Sequence, residues 1–127
     1  TIEELLRFEA PSPVQARLVS KDVEHYGHTV PAGSIMLLIN GSANRDEDIF
    51  PDGHRFDVGR TPNEHLSFGI GPHFCLGANL ARREIAVMFD ELRRRMPTLH
   101  TVGEPDYLQS NFINGIKRMP VRYTPTT

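Results

Sequence analysis

The clearest pattern of apolar and polar positions lies between Leu76 and Met96, and it has the period of a helix. Apolar residues recur there at spacings of three and four: Leu80, Ala81, Ile85, Met88, Phe89, Leu92 and Met96. Pro97 ends the pattern because proline cannot continue a helix. Residues 1–8 show a shorter pattern of the same kind, with Thr1 as a possible N-cap and two acidic residues in the first turn. The sequence therefore predicts two helices.

Strand patterns occupy much of the remaining chain. Apolar and β-branched residues predict strands from Pro13 to Ser20, on both sides of a turn at residues 26–28, and from Ser34 to Ile39. The last of these contains the run IMLLI and is predicted to be buried. Further small strands are predicted at 99–102, 110–113 and 120–123, with a tight hairpin turn at Asn114-Gly115. Helices with short antiparallel strands predict an α+β fold.

A long segment without regular periodicity separates these strands from the long helix. After a possible helical turn at 41–45, residues 46–66 contain two prolines and two glycines. Loops of this length are usually either functional or disordered. Phe50, Phe56 and Phe68 provide apolar anchors, so we expect the segment to be irregular but ordered.

Length and composition predict one ordered domain, since the 127 residues are 39% hydrophobic and 24% charged. A net charge of -2 gives no electrostatic reason to expect nucleic acid, and no apolar run approaches the roughly 18 residues that span a bilayer. A single cysteine and the absence of a signal-peptide pattern lead us to expect a cytoplasmic location. Because the chain begins at Thr1 within a helical pattern, we expect it to be part of a longer protein.

Candidate chemistry centres on the only cysteine, Cys75, in the segment FGIGPHFCLG at residues 68–77. Gly69, Gly71 and Gly77 allow backbone turns or the close approach of a flat ligand. The following helix points its free N–H groups toward Cys75 and favours an anion there. Thiolate is the form of cysteine that binds metals, so Cys75 is a candidate metal ligand. The alternative is a buried cysteine that acts as a small hydrophobic residue.

A zinc site is another possibility, because six histidines accompany the cysteine. Their spacing argues against zinc. There is no Cys-x-x-Cys pair, and the closely spaced His25 and His28 flank a predicted turn.

The pattern F-x-x-G-x-H-x-C-x-G resembles the haem-ligand loop of the cytochrome P450 family. The resemblance implies haem b as the cofactor, with Cys75 as both the proximal iron ligand and the catalytic residue. It also implies haem contacts from Phe68, Gly69, His73 and Gly77. Thiolate ligation favours cleavage of the O–O bond. The implied activity is therefore a monooxygenase that inserts one oxygen atom of O2 into an apolar substrate.

A second motif, Glu4-x-x-Arg7, resembles the Glu-x-x-Arg signature of the family's K helix. By itself, a pair three residues apart on a helix is most simply a solvated pair worth a few tenths of a kcal/mol. In the family a third partner completes a buried network; Arg55 stands at the matching position, and Arg45 is a second candidate. Removing one partner of a buried pair costs roughly 3–5 kcal/mol.

The resemblance assigns roles to several other residues. Arg17 and His73 match positions that contact haem propionates, with a solvent-facing side chain as the alternative for each. Val14, Phe112 and Ile113 match segments that reach the substrate, with a structural role in the core as the alternative. The run NFINGIKRMP resembles bacterial members that oxidise sterols and branched lipids.

The resemblance also implies a partner protein. Members of the family receive electrons from an acidic ferredoxin or a flavoprotein that docks on the proximal face. Arg82 and Arg83, beside the cysteine loop, are candidates for electrostatic steering of this donor. The alternative is an arginine-rich helix face in contact with solvent.

The resemblance runs along essentially the whole chain, but it covers only the C-terminal third of the family's fold. We expect residues 1–127 to be a partial P450 domain without the N-terminal part and its distal-side helices, which deliver protons and exclude water. Such a chain is not expected to be active alone. The alternatives are a truncated, non-catalytic haem-binding remnant or an interaction module. Ile35, Leu37, Phe89 and Leu92 are expected to form an incompletely covered apolar surface.

Overall fold

The computed structural model describes residues 1–124, which form three α-helices and eight short strands. The helices are α1 (Ile2–Phe8), α2 (Asn40–Ala43) and α3 (Ala78–Arg95), and a 3₁₀ turn covers Gly71–His73. Both helices predicted from the apolar pattern are present, and a helical turn is present near 41–45. Thr1 is the N-cap residue of α1, as predicted, although its side chain makes no capping hydrogen bond.

The strands form four separate antiparallel pairs. The pairs are β1 (Gln15–Leu18) with β4 (Ile35–Leu38), β2 (Val23–His25) with β3 (His28–Val30), β5 (His100–Thr101) with β8 (Val121–Arg122), and β6 (Asp106–Tyr107) with β7 (Ile116–Arg118). Tyr26 and Gly27, in the turn between β2 and β3, have φ values of 49° and 76°, the conformation that suits a two-residue hairpin. The predicted α+β fold is confirmed.

The predicted strand at 110–113 is wrong. The Ser110 hydroxyl accepts the backbone N–H groups of Phe112 and Ile113, both at 3.1 Å, and the Asn114 N–H donates to the Pro11 carbonyl at 2.9 Å. These backbone groups are therefore unavailable for a strand ladder. The connection between β6 and β7 is a longer loop, and Asn114-Gly115 is not a two-residue hairpin turn.

The strand predicted within residues 34–39 is present as β4, but the expectation that it is buried is wrong. Ile35 and Leu37 are 71% and 60% exposed, which confirms the expectation of an incompletely covered apolar surface. β4 pairs with β1, and nothing within residues 1–124 covers these two side chains. Phe89 on α3 is exposed as well, whereas Leu92 is half-buried. No helix among the described residues is long and apolar enough to cross a membrane.

The most deeply buried large side chains are polar. Glu4, Arg7 and Asn44 are at most 1% exposed. Residues 46–66 contain no helix or strand, yet they are ordered around α1 through hydrogen bonds to these side chains. The irregular segment is thus held by a buried polar network together with the predicted apolar anchor Phe50, which is buried.

Candidate functional site

Glu4 and Arg7 form a buried ion pair on α1. Arg7 Nε donates to Glu4 Oε2 at 2.7 Å, and Arg7 Nη2 donates to Glu4 Oε1 at 2.8 Å. Two parallel hydrogen bonds between a guanidinium and a carboxylate are the strongest form of such a pair. The structure therefore excludes a solvated surface pair.

The remaining donors of Arg7 bind backbone carbonyls. Nη1 donates to Asn44 at 2.6 Å and to Gly53 at 2.8 Å, and Nη2 donates to Arg55 at 3.1 Å. With the two bonds to Glu4, all five N–H donors of a guanidinium are satisfied. This arrangement fixes the irregular segment to α1.

The third partner of this network, and its second cation, is Arg60; the expectation that the Arg55 side chain would fill that role is wrong. Arg60 Nε lies 3.3 Å from Glu4 Oε2, and its side chain is 10% exposed. The Arg55 N–H donates to the Asp52 carbonyl in a turn, and the residue is exposed. Arg55 therefore contributes only its carbonyl, which accepts a hydrogen bond from Arg7. Arg45 instead donates to the Phe8 carbonyl and lies over the Phe8 ring.

The environment of Glu4 stabilises its ionised form. Hydrogen bonds from the Arg7 guanidinium and then from the Asp57 backbone N–H lower the pKa of Glu4 from 4.5 to about 2, although burial acts in the opposite direction. Asn63 donates a further hydrogen bond to Oε2 at 3.0 Å. Glu4 is therefore a charged structural residue at neutral pH.

Asn44 connects this network to the start of the cysteine segment. Its Nδ2 donates to the Ser67 hydroxyl at 2.9 Å, and its Oδ1 accepts the Leu66 N–H at 2.7 Å. The Ser67 hydroxyl in turn donates to the Leu6 carbonyl at 2.6 Å. Sequence analysis missed Asn44 and Ser67, because buried polar residues with distant partners leave no trace in the apolar pattern.

The cysteine segment is a tight loop stabilised by backbone hydrogen bonds. Gly69 and Gly71 both have φ near 72°, a conformation that residues other than glycine rarely adopt. The Cys75 N–H donates to the Phe68 carbonyl at 2.9 Å and closes the loop. Gly77 has φ of -85°, so its backbone conformation does not require glycine.

The Cys75 thiol is exposed and free of disulfide bonding, so it is not a buried hydrophobic residue of the described part of the chain. Phe74 and Leu76 on either side are 51% and 103% exposed. A side chain at Gly77 would place a Cβ atom 3.9 Å from Cys75 Sγ, so glycine keeps this side of the sulfur open. An exposed thiol between exposed apolar side chains fits a large, flat, apolar ligand.

The donor set also fits a porphyrin-bound metal. Across residues 1–124, no group of three or more His, Cys, Asp and Glu side chains could hold a metal ion. The zinc alternative therefore has no support in the described part of the chain. A metal bound at Cys75 would therefore take most of its other ligands from outside the described residues, as iron does from the porphyrin of haem.

The two predicted propionate-binding residues lie at the surface. Arg17, in β1, is exposed and its Nη1 donates to the Ala16 carbonyl at 2.9 Å. His73 is exposed in the 3₁₀ turn of the cysteine loop. Their assignment to haem propionates stays a prediction.

Two of the predicted substrate residues share one cleft. Val14 and Phe112 line a space of about 370 Å³ together with Gln15, Ala16, Leu37 and Asn111. The loop that carries Phe112 is fixed nearby, since Asn114 Nδ2 donates to Glu9 at 2.7 Å. Ile113 is 50% exposed and is not among the residues that line this cleft.

Arg82 and Arg83 are in different environments. Arg82 Nε and Nη2 donate to the two carboxylate oxygens of Glu3 at 2.8 and 2.9 Å. These hydrogen bonds lower the pKa of Glu3. Arg83 is exposed on α3 and is therefore the more accessible of the two for a partner protein.

Comparisons with known proteins show the family to which the chain belongs. The sequence profile described as Cytochrome P450 matches residues 1–116. A methyl-branched lipid omega-hydroxylase from Mycobacterium tuberculosis is 50% identical over 124 residues, which are 97% of this chain and 29% of that protein. A steroid C26-monooxygenase from the same species is 44% identical over 128 residues, with coverages of 98% and 34%.

The solved structures show the same similarity. Substrate-free CYP109E1 from Bacillus megaterium matches with a TM-score of 0.93 and 38% identity, over 98% of this chain and 33% of that one. The chain thus spans about a third of the length of the relatives that it matches. The family profile, the relatives and the fold all lead to the same conclusion, that this chain belongs to the cytochrome P450 family.

Proposed function

We propose that this chain forms the proximal, haem-binding part of a haem-thiolate monooxygenase, with Cys75 Sγ as the iron ligand. The observation that carries the proposal is the exposed thiol in a loop closed by the hydrogen bond from Cys75 N–H to Phe68 O. When bound, haem would supply the activation of O2 and the insertion of one oxygen atom into the substrate.

The residues of the chain hold the thiol in place and shape its surroundings. The positive φ angles of Gly69 and Gly71 direct the loop back toward Phe68, and Gly77 leaves space beside the sulfur. Arg17 and His73 are assigned to the haem propionates, since a guanidinium and an imidazole can both bind a carboxylate.

The substrate is proposed to be a large apolar molecule, such as a methyl-branched lipid or a steroid. The apolar residues Val14 and Phe112 line a common cleft, and Ile113 extends the exposed apolar surface beside it. The names of the two mycobacterial relatives support the same substrate class.

The electron donor is proposed to be a ferredoxin or a flavoprotein that docks near the cysteine loop. Arg83 is assigned to this contact because it is exposed, whereas the guanidinium of Arg82 is bound to Glu3. An exposed cation attracts an acidic donor at a distance and raises its association rate, an effect that salt screens.

Hydroxylation is attributed to a longer protein that contains these residues. Residues 1–127 correspond to about a third of the relatives, so they are proposed as a partial domain that depends on the rest of the fold. Large apolar side chains on β4 and α3 are exposed, which supports a dependent segment.

The experiment is to express this chain alone and within the longer protein, and to record the reduced carbon monoxide spectrum of both. The long-wavelength Soret band of that complex is the signature of thiolate ligation. A band in the longer protein alone would support both the ligand and the dependence on the rest of the fold. A band in the isolated chain as well would contradict the dependence. No band in either would contradict the proposed function and favour an interaction module.

A further inference from the structure

Three separate parts of the chain meet at Glu3, on the first turn of α1. Arg82, on the first turns of α3, donates two hydrogen bonds to the Glu3 carboxylate. His65 Nε2 lies 3.1 Å from Glu3 Oε2 and comes from the segment before the cysteine loop. One carboxylate therefore joins α1, α3 and the approach to Cys75.

The hydrogen bonds of His65 define its tautomer. Nδ1 accepts the Ser67 N–H at 3.2 Å, so the ring proton is on Nε2 and is donated to Glu3. The side chain is 2% exposed, and burial lowers the pKa of His65 although Glu3 acts in the opposite direction. His65 is therefore a neutral donor that helps to orient the carboxylate.

The other side of Arg82 contacts the aromatic ring that opens the loop. The guanidinium carbon of Arg82 lies 4.6 Å from the centroid of the Phe68 ring, within the range of a cation–π interaction. The His65 ring lies 6.0 Å from the same centroid. Phe68 is also the residue whose carbonyl accepts the Cys75 N–H. The ion pair and the cysteine backbone are thus connected through one residue.

We propose that Glu3 and Arg82 are positioning residues for the Cys75 thiol, acting through Phe68. The bidentate pair fixes the Arg82 guanidinium, the guanidinium fixes the Phe68 ring, and the Phe68 carbonyl fixes the Cys75 N–H. The relevance of this chain of contacts to haem rests on the proposed function of Cys75.

This role differs from that of the Glu4–Arg7 pair. Glu4 and Arg7 are fully buried, whereas the side chains of Arg82 and Glu3 are 34% and 41% exposed. Partly exposed ion pairs contribute little to global stability. The main effect of Glu3 and Arg82 is therefore expected on the local order of the cysteine loop, and not on whether the protein folds.

The test uses the intact protein that contains this chain, with Glu3→Gln, Arg82→Gln and the double variant. Arg83→Gln is the matched control, because it removes a neighbouring arginine of α3 that is exposed. The first measurement is hydrogen exchange at the Cys75 amide, with and without haem, against amides in the middle of α3. The second is the Soret band of the reduced carbon monoxide complex.

We expect each single variant to speed exchange at the Cys75 amide several-fold while exchange within α3 is unchanged. The double variant should exchange no faster than either single variant, since both changes remove the same contact. Unchanged exchange in the single variants, an equal change in Arg83→Gln, or additive effects in the double variant would overturn the proposal. A missing thiolate band in the unaltered protein would instead overturn the haem assignment, and the exchange data would still decide whether the pair orders the loop.

Discussion

The guanidinium of Arg7 meets the carboxylate of Glu4 through hydrogen bonds of 2.7 and 2.8 Å, and neither side chain is more than 1% exposed. A pair so far from water is stable only when its remaining polar atoms are also bonded. The other donors of Arg7 bind three backbone carbonyls of residues 44–55. This pair is therefore the point to which the irregular segment before the cysteine loop is fixed.

Replacement of Glu4 is expected to destabilise the protein and to reduce its haem content. Glu4→Gln leaves the buried guanidinium of Arg7 without its counter-charge, which should lower the free energy of unfolding by roughly 3–5 kcal/mol. We expect Glu4→Ala to abolish haem incorporation. Denaturant unfolding and haem content are the measurements.

The control is Glu91→Gln, which removes a glutamate that pairs with Arg94 on the solvent side of α3. Its unfolding midpoint should stay close to that of the unaltered protein. Normal haem content in Glu4→Ala would show that the buried pair does not support the haem site.

Arg60 and Arg55 form a matched pair of variants. Arg60→Gln removes the second cation beside Glu4, so it should lower the denaturation midpoint. Arg55→Gln keeps the carbonyl that binds Arg7 and changes only an exposed side chain, so its midpoint should be unchanged. The opposite ranking of the two midpoints would restore Arg55 as the third partner of Glu4 and Arg7.

The stability of the protein is expected to fall at acid pH. Because the pKa of Glu4 is about 2 in the folded state against 4.5 unperturbed, the unfolded state binds the proton first as the pH drops. The contribution of Glu4 to the free energy of unfolding is fully present above pH 4.5 and is lost as the pH falls toward 2. This contribution is on the order of 3 kcal/mol. The lowered pKa of Glu3 acts in the same direction.

The test is to measure unfolding curves of the unaltered protein and of Glu4→Gln across this pH range. The comparison shows how much of the acid dependence of stability comes from Glu4. Most of the acid dependence should disappear in the variant, since glutamine does not titrate. An equally steep loss of stability in Glu4→Gln would assign the acid sensitivity to other groups.

Phe112 is expected to contribute to the binding of apolar substrates. Its ring lines the cleft shared with Val14, and burying an aromatic side chain is worth about 1.5–3 kcal/mol. Phe112→Ala should therefore weaken the binding of a steroid or branched fatty acid by at least about tenfold in the intact protein. A spectral titration measures this affinity. The control is Tyr26→Ala, because Tyr26 is 91% exposed at the tip of the β2–β3 hairpin. Equal substrate affinities in the two variants would show that Phe112 is not part of the substrate site.

The sequence predicted the features that depend on local patterns. Helix α3 follows from its apolar repeat, and the cysteine loop follows from the spacing of its glycines, histidine and cysteine. The roles of Arg60 and Asn44 were not predicted, because both depend on partners more than 30 residues away in the sequence. Arg60 donates a hydrogen bond to the Glu4 carboxylate, and Asn44 donates one to the Arg7 carbonyl. The strand pattern alone predicted burial for Ile35, and only the resemblance, which implies that the covering elements lie outside residues 1–127, led to the expectation of the exposed apolar surface that is observed.

The most direct test of the central claim is the reduced carbon monoxide spectrum of the intact protein with Cys75→Ser. The account predicts that the unaltered protein shows the long-wavelength Soret band of thiolate ligation and that Cys75→Ser lacks it. Ser67→Ala is the control, because it alters the segment before the loop but keeps the thiol. The Ser67→Ala protein that binds haem should show the band at the same wavelength as the unaltered protein. A thiolate band that persists in Cys75→Ser would contradict the assignment of Cys75 as the iron ligand.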